Sequence, residues 1–383
     1  MRRQGFEPRP DFAEHAARIG FDFAHIDGEP YWDESAAYVF SMREIEEDLE
    51  RATAELARLC DEVVARIVAS EALLAKLRIP RHAWSLIAES FARRDPSLYG
   101  RFDFAYDGEG PPKLLEYNAD TPTSLYEAAV VQWHWLEQMI ARGRLPSDAD
   151  QFNSLHERLI ARWRAIADGA FVHLACMSAS IEDRGAIAYL ADCAMQAGSP
   201  TALLDMGDIG LHGDVFIDRE GRRIERLFKL YPWEWMFADS FGSTPAMRST
   251  HFVEPPWKAV ASNKGFLALL WDAAPGHPNL LPCFFEEDAR AADLRRYARK
   301  PLYSREGANI TLVDVEPIAQ TGGTYGAEGF VRQQLHLLPD FDGRRPALGC
   351  WLVDGAPAGM GVREDVALVT SDRSRFLPHL IID

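Results

Sequence analysis

Between Arg101 and Glu127 the chain reads RFDFAYDGEGPPKLLEYNADTPTSLYE, which sets two carboxylates, a guanidinium and an amide at spacings that can bring them together. Two alternating segments, Arg101 to Tyr106 and Lys113 to Asn118, flank DGEGPP, whose glycines and prolines favour a turn, so the pattern predicts an antiparallel hairpin. Symmetric closure sets Tyr106 opposite Lys113, Asp103 opposite Glu116 and Arg101 opposite Asn118, with the last four on one face. Like charges directly opposite each other destabilise a sheet by roughly a few tenths of a kcal/mol or more, so the patch calls for a compensating cation. Hard oxygen donors on a strand pair suit Mg²⁺, which keeps several waters and bridges to substrate phosphates. A bulge would break this register. The competing reading is a hairpin with one solvated polar face.

The residues after Asn118 extend the chemistry. Asp120-Thr121-Pro122-Thr123 is a polar loop, and Ser124 with Glu127 has the spacing of a capping box opening an apolar helix from Leu125 to Ile140. A helix N-terminus beside the carboxylate patch offers N–H groups to an anion such as a substrate carboxylate, with the Thr121 and Thr123 hydroxyls alongside. Capping of a turn is the alternative use of those hydroxyls. Further on, Ser262-Asn263-Lys264 opens an apolar helix, and Lys300 starts a strand leading into Ser304-Arg305-Glu306-Gly307-Ala308-Asn309-Ile310. A strand, a glycine-bearing loop and a second strand can fold over a triphosphate, with backbone N–H groups and fixed cations offsetting its charge. Either lysine taken singly also fits a solvated surface group. The loop Thr321 to Gly326 lacks the spacing of a phosphate-binding P-loop. Arg363, at a strand end, is placed to hold a carboxylate or to form a surface ion pair.

These groups need elements to position them. Ser41 and Glu44 form another capping box before a long amphipathic helix with Met42, Ile45, Leu49, Leu56, Val63 and Ile67 on one face. A helix near Ser154 to Ala167, a strand Phe171 to Met177, a helix Arg184 to Gln196 and a strand Thr201 to Asp205 alternate as in an α/β lobe with parallel pairing. The Trp- and Pro-rich stretch from about Glu225 to Pro256 reads as a connection. A helix Lys264 to Trp271 and strands at Lys300 to Tyr303, Phe330 to Leu337, Gly349 to Leu352 and Ala358 to Arg363 follow.

Composition bounds the function. The 383 residues are 47% hydrophobic, enough for a sizeable core in two or three lobes. A net charge of -17 argues against nucleic acid as the main partner. No apolar run is long enough to span a membrane, and the N-terminus lacks the apolar core of a secretory signal. Five scattered cysteines without CxxC spacing argue against a disulfide framework or a zinc site and fit a reducing, cytoplasmic setting.

The motifs RFDF, KLLEYNADTPTSLYE, SNKGFLALLW, KPLYSREGANI, FVRQQ and PAGMGVRED, in that order, resemble the glutathionylspermidine synthase family, an ATP-grasp group of acid–amine ligases. The likeness covers nearly the whole chain and is to single-domain members of the acid–amine ligase type. It implies a mixed α+β and α/β ATP-grasp fold with an N-terminal pre-ATP-grasp-like lobe and mixed sheets flanked by helices. One synthetase domain over 1–383 would have lobes at about 1–167, with the metal-binding hairpin, 168–256, for substrate and connection, and 257–383, for the nucleotide. By that resemblance Asp103, Glu116 and Asn118 are Mg²⁺ ligands, for two ions, and Arg101 steadies the transferred phosphoryl group. Lys264, Lys300, Ser304, Glu306, Gly307, Asn309, Gln333 and Gln334 hold ATP. Thr121, Thr123, Arg305 and Arg363 meet the acid substrate, and the acidic pair Glu182 and Asp183 falls where the family receives its polyamine. The implied reaction joins a glutathione-like or peptide acid to a polyamine-like amine through an acyl phosphate. There is no room before Tyr31 for the cysteine amidase of bifunctional members, and threonines stand where the synthetases proper have serine. A non-catalytic nucleotide- and peptide-binding sensor, and a hydrolase using Asp103 and Glu116 as an acid–base pair, are the competing classes.

Overall fold

The computed structural model describes residues 1–26 and 28–383. The predicted hairpin forms from strands Tyr99–Ala105 and Lys113–Asn118 and lies at one side of a five-stranded sheet. Tyr99–Ala105 pairs on its other side with Arg345–Val353, which continues through Ala356–Asp365 to Arg375–Leu377. The strands after residue 344 thus share a sheet with the hairpin, although in sequence they follow the Lys300 region. Near the loop-distal end the pairing is as expected, with Arg101 opposite Asn118 and Asp103 opposite Glu116. The register then slips, so that Phe104 meets Leu114 and Ala105, not Tyr106, faces Lys113. Leu115 is the extra residue of this bulge, which the assumption of symmetric closure missed.

A second five-stranded sheet, here the Lys300 sheet, is antiparallel in the order Cys283–Phe285, Phe330–Gln334, Arg296–Pro301, Thr311–Asp314 and Glu316–Gln320. Lys300 is near the end of its strand, not at its start. Alternation explains what each residue faces: in Phe330–Gln334, Val331 and Gln333 are buried while Gln334 is exposed. A third sheet is parallel, in the order His251–Val253, Arg226–Leu230, Val172–Cys176 and Thr201–Asp205. The stretch from Glu225 to Pro256 is therefore not a mere connection. RLFKL is a buried inner strand, followed by the short helix Trp233–Ala238 and the edge strand His251–Val253. Lys229 hid the strand by interrupting its apolar run, and that lysine has a buried partner described below.

Helix Leu155–Ala167 follows its prediction, and Ile181–Gln196 begins before the expected Arg184 because Ser180 caps it by accepting from the Asp183 N–H. The long amphipathic segment is a π-turn, Glu44–Glu50, continuing into helix Arg51–Val68. Its capping box is real: the Ser41 N–H donates to Glu44 at 2.9 Å and the Glu44 N–H to the Ser41 hydroxyl at 3.3 Å. Leu56, Cys60, Val63 and Ile67 are buried against helix Gly265–Ala273 and its neighbours, each aliphatic side chain contributing about 1.5–3 kcal/mol. The second predicted box is absent. Ser124 has φ of +66°, its hydroxyl turns to the Thr123 carbonyl, and Glu127 instead accepts from the Tyr31 hydroxyl at 2.6 Å.

Candidate active site

A cleft of about 1180 Å³ opens between the hairpin and the Lys300 sheet. The bulge helps to make it: Leu115 presents its carbonyl to the Lys300 ammonium at 2.9 Å, and the Leu114 carbonyl accepts from the Gln333 amide at 3.0 Å. Lys300 also donates to the Gln333 side-chain oxygen at 2.7 Å, so Gln333 fixes the lysine and docks the two sheets. The lysine is buried, and that burial, opposed by Glu116, brings its ammonium down to about 8.

The predicted polar patch is assembled on the hairpin. Asp103 accepts from both ends of the Arg101 fork, at 2.6 Å from Nε and 2.9 Å from Nη2, in a buried pair. Arg101 also reaches the Thr123 carbonyl at 2.6 Å and the Ser124 hydroxyl at 3.1 Å, tying the hairpin to the polar loop. Gly349, opposite Asp103 on the next strand, leaves the space this guanidinium needs, since a Cβ there would lie 2.8 Å from Arg101 Cδ. The Asn118 amide stands 3.1 Å from both Asp103 Oδ2 and Glu116 Oε1, so two carboxylates converge on one polar atom. Lys264, at the head of helix Gly265–Ala273, lies 3.1 Å from Glu116 and donates to the Ser304 carbonyl at 2.5 Å. Burial raises the Glu116 carboxyl, but Lys264, Lys300 and the Asn118 amide outweigh it and hold the group far below the ordinary range.

This donor set fits Mg²⁺. Two carboxylate oxygens already meet at the Asn118 amide, and turning that amide over, which exchanges its oxygen and nitrogen, brings an oxygen beside both. Arg101 and Lys264 supply cationic charge to the like-charged face. Among the described residues no group of three His, Cys, Asp or Glu could hold a metal.

The expected residues divide between the cleft, an adjoining chamber and positions outside both. Arg101, Glu116, Asn118, Thr121, Thr123, Lys264, Lys300, Arg305, Glu306, Gly307, Gln333, Gln334 and Arg363 line the cleft itself. Ser304 lies in the wall of an adjoining chamber of about 460 Å³, also bordered by Glu116, Thr121, Lys264 and Arg305. Asp103 lies behind Arg101. Asn309 is outside the cleft and stitches two loops, donating to the Gly323 carbonyl at 3.0 Å and accepting from the Tyr325 N–H at 2.8 Å. Glu182 and Asp183 are not in the cleft lining. They head helix Ile181–Gln196 in the electrostatic reach of Glu306, and burial with neighbouring acids, Glu127 and Asp183 foremost, raises Glu182 to about 7. Burial likewise raises Asp183 to about 6, against the Ser180 hydrogen bond.

Arg305 joins three regions. It donates to the Thr121 hydroxyl at 2.5 Å and pairs with Glu234 at 2.9 Å. Thr121 is set in turn by Asp120, which accepts from Lys229 at 2.6 Å and from the Trp233 N–H at 2.8 Å. Lys229 and Asp120 have fully buried side chains. Neither Glu234 nor this pair was foreseen, because Asp120 and Lys229 are separated by 109 positions and no local pattern couples them. Also unforeseen are the apolar walls, including Ala298, Ile310, Leu312 and the segment from Leu335 to Leu338, whose signal was the apolar run after FVRQQ.

A cleft between an antiparallel sheet and a carboxylate hairpin, bordered by lysines from two elements, defines a mixed α+β protein of the ATP-grasp type. The sequence profile of the glutathionylspermidine synthase preATP-grasp family matches residues 3–382, and the chain belongs to that family. It is 40% identical over 394 residues to the "Putative acid--amine ligase" of Haemophilus influenzae, covering 99% of this chain and 98% of that one. It is 28% identical to the trypanothione synthetase of Crithidia fasciculata, over 82% of this chain and 52% of the relative. The bifunctional glutathionylspermidine synthetase/amidase of Escherichia coli is also 28% identical, over 88% of this chain and 58% of the relative, so the chain spans little more than half of these longer proteins. Among solved structures, a glutathione synthetase-like effector from Globodera pallida in apo form shares the fold, with a TM-score of 0.56, 10% identity and 98% coverage of each chain.

Proposed function

We propose that the chain is an ATP- and Mg²⁺-dependent ligase that joins a carboxylate to an amine as an amide through an acyl phosphate. The observation that carries this reading is the convergence of Glu116, Asn118, Lys264, Lys300 and Arg101 around one cleft, with Asp103 behind Arg101 and within reach of the Asn118 amide. Bound by those three donors, Mg²⁺ would neutralise phosphate charge and orient the terminal phosphate. Lys264 and Lys300 hold the nucleotide phosphates, while the walls from Leu335 to Leu338 and at Ala298 and Leu312 take its apolar face. The acid rests near Thr121, Thr123 and Arg363; among the described residues Arg363 makes no ion pair within 4 Å, which leaves its guanidinium for a substrate carboxylate.

In the first step a carboxylate oxygen attacks the γ-phosphorus, the bond to the β-phosphate oxygen breaks, and ADP leaves. Arg101, held in place by Asp103, stabilises the charge on the transferring group. An amine nitrogen then attacks the acyl carbon, the C–O bond to phosphate breaks, and the nitrogen gives up a proton. Glu182 and Asp183 attract the amine as a cation. Acyl phosphates hydrolyse readily, so the loop from Ser304 to Asn309 serves to exclude water. A glutathione-like or peptide acid and a polyamine-like amine are the substrate classes supported by the relatives' names and by these acidic residues.

The test is incubation with MgATP and a panel of acids and amines, following ADP and product by mass spectrometry. ADP release that requires both partners supports the ligase; nucleotide binding without release supports a sensor. Glu116→Gln is expected to abolish ADP release, a loss of at least about a hundredfold, with the circular dichroism spectrum retained. Near-normal turnover in that variant would remove Glu116 from the metal site.

A further inference from the structure

A second cavity, of about 810 Å³, lies between the outer face of helix Gln132–Ala141 and helices Leu155–Ala167 and Ile181–Gln196, and shares no lining residue with the cleft. Its walls include the rings of Tyr126, Trp133, His156 and Tyr189, and its rim carries Glu157 and Asp192. We propose that this cavity is a binding site for an organic cation, an alkylammonium group held over the aromatic faces and between the two carboxylates.

Three observations support it. First, the rings are fixed before any ligand arrives. Tyr126 and Tyr189 stand with centroids 5.4 Å apart at 56°, His156 stacks on Tyr189 at 5.9 Å, and the Tyr189 hydroxyl lies 3.2 Å from His156 Nδ1. Tyr126 is anchored at its far end, its hydroxyl donating to the Ile19 carbonyl. A ligand therefore pays little for ordering these walls. Second, Trp133 keeps 39% of its surface exposed although most large aromatic side chains of this protein are buried. An indole left open in the wall of a cavity is the side chain that binds a cation most strongly through its ring face. Third, the fixed charge is one-sided, since the basic groups lining the cavity are the imidazoles of His134, where burial favours the neutral form, and of His156, which lies against the Tyr189 hydroxyl. No lysine or arginine lines the cavity, while among the described residues Glu157 has no cationic partner within 4 Å and Asp192 is held only by Gln196, at 2.7 Å. Ring quadrupoles and uncompensated carboxylates both select a positive, partly apolar group and reject an anion. Phe23 packs on Gly185, where a Cβ would lie 2.7 Å from its ring, between Glu182 near the cleft and Tyr189 in this cavity. The two sites are therefore separate.

The experiment is calorimetric titration of the full chain with tetramethylammonium and with 1,4-diaminobutane, in wild type and in two variants. The expected result is saturable tetramethylammonium binding that weakens about tenfold in Trp133→Leu with Asp192→Asn but not in Glu182→Gln, and two classes of 1,4-diaminobutane site, of which Glu182→Gln removes only the one at the cleft. MgATP binding should be the same in wild type and in Trp133→Leu with Asp192→Asn. Binding that weakens only in Glu182→Gln would place the cation in the cleft and overturn the proposal, as would no binding at tens of millimolar probe. Because MgATP binding is read in the same samples, failure here is distinguishable from failure of the ligase reading.

Discussion

Lys300 holds the Leu115 carbonyl and Gln333 from a buried position that lowers its ammonium to about 8, so its charge is conditional within an ordinary laboratory range. Phosphate binding needs the protonated form, and affinity should fall about tenfold per pH unit once the pH passes that value. Nucleotide affinity measured from pH 7 to 9.5 is expected to show this limb, and Lys300→Arg, which stays charged, to flatten it; a flat wild-type profile would remove Lys300 from the phosphates. Arg101 and Asp103 act as a unit. Because their pair is buried, Asp103→Ala leaves a guanidinium without its partner and should cost about 3–5 kcal/mol of stability, read by denaturant unfolding. At this scale the sequence was most legible where residues are close along the chain: Asp103, Glu116 and Asn118 follow from period two and a turn. Gln333 was legible in position and not in action, because its contacts with Lys300 and Leu114 come from another sheet.

Among elements, the loop from Ser304 to Asn309 depends on Gly307. Its φ is +70°, and a Cβ there would lie 2.3 Å from the Thr370 carbonyl, so loops distant in sequence meet where only hydrogen fits. Gly307→Ala should cost about 1–3 kcal/mol locally and, instead of unfolding the chain, lift the loop. The expected outcome is ADP release that no longer requires the amine, since water then reaches the acyl phosphate, with a melting temperature within a few degrees of wild type. Helices were found because the apolar period is local, and the capping box at Ser41 was read, whereas the cap at Ser180 was not and its helix starts three residues before the expected Arg184. The bulge at Leu115 was not, since extra residues in a strand have no composition signal when both neighbours are leucine or glutamate. Arg226–Leu230 was missed for a related reason: a lysine interrupts its apolar run, and only the partner Asp120 makes that lysine acceptable in an interior.

For the molecule as a whole, Glu182 and Asp183 make stability depend on pH in an unusual direction. Their folded values, about 7 and about 6, lie above the ordinary 4.5 and 3.8. Protonation is therefore favoured by folding; the stabilisation is full below the unfolded values and is lost as pH rises through the folded ones. The melting temperature of wild type, relative to Glu182→Gln with Asp183→Asn, is expected to fall between pH 4.5 and 7 and then level off. A polyamine-like cation at pH 7.5 should restore part of the difference in wild type only. The class of fold was legible from the order of elements and motifs, whereas the pairing of the sheets was not, because strands of the hairpin sheet lie some 250 positions apart.

That separation matters during synthesis. Until Arg345–Val353 has left the ribosome, Tyr99–Ala105 has an open flank of unpaired backbone groups and three aromatic side chains, the kind of surface on which nascent chains aggregate. Chaperone dependence should consequently concentrate in the interval before residues 345–353 emerge, and ribosome-stalled fragments ending ahead of that strand should be protease-sensitive at the Tyr99–Asn118 hairpin even when the parallel sheet is already protected.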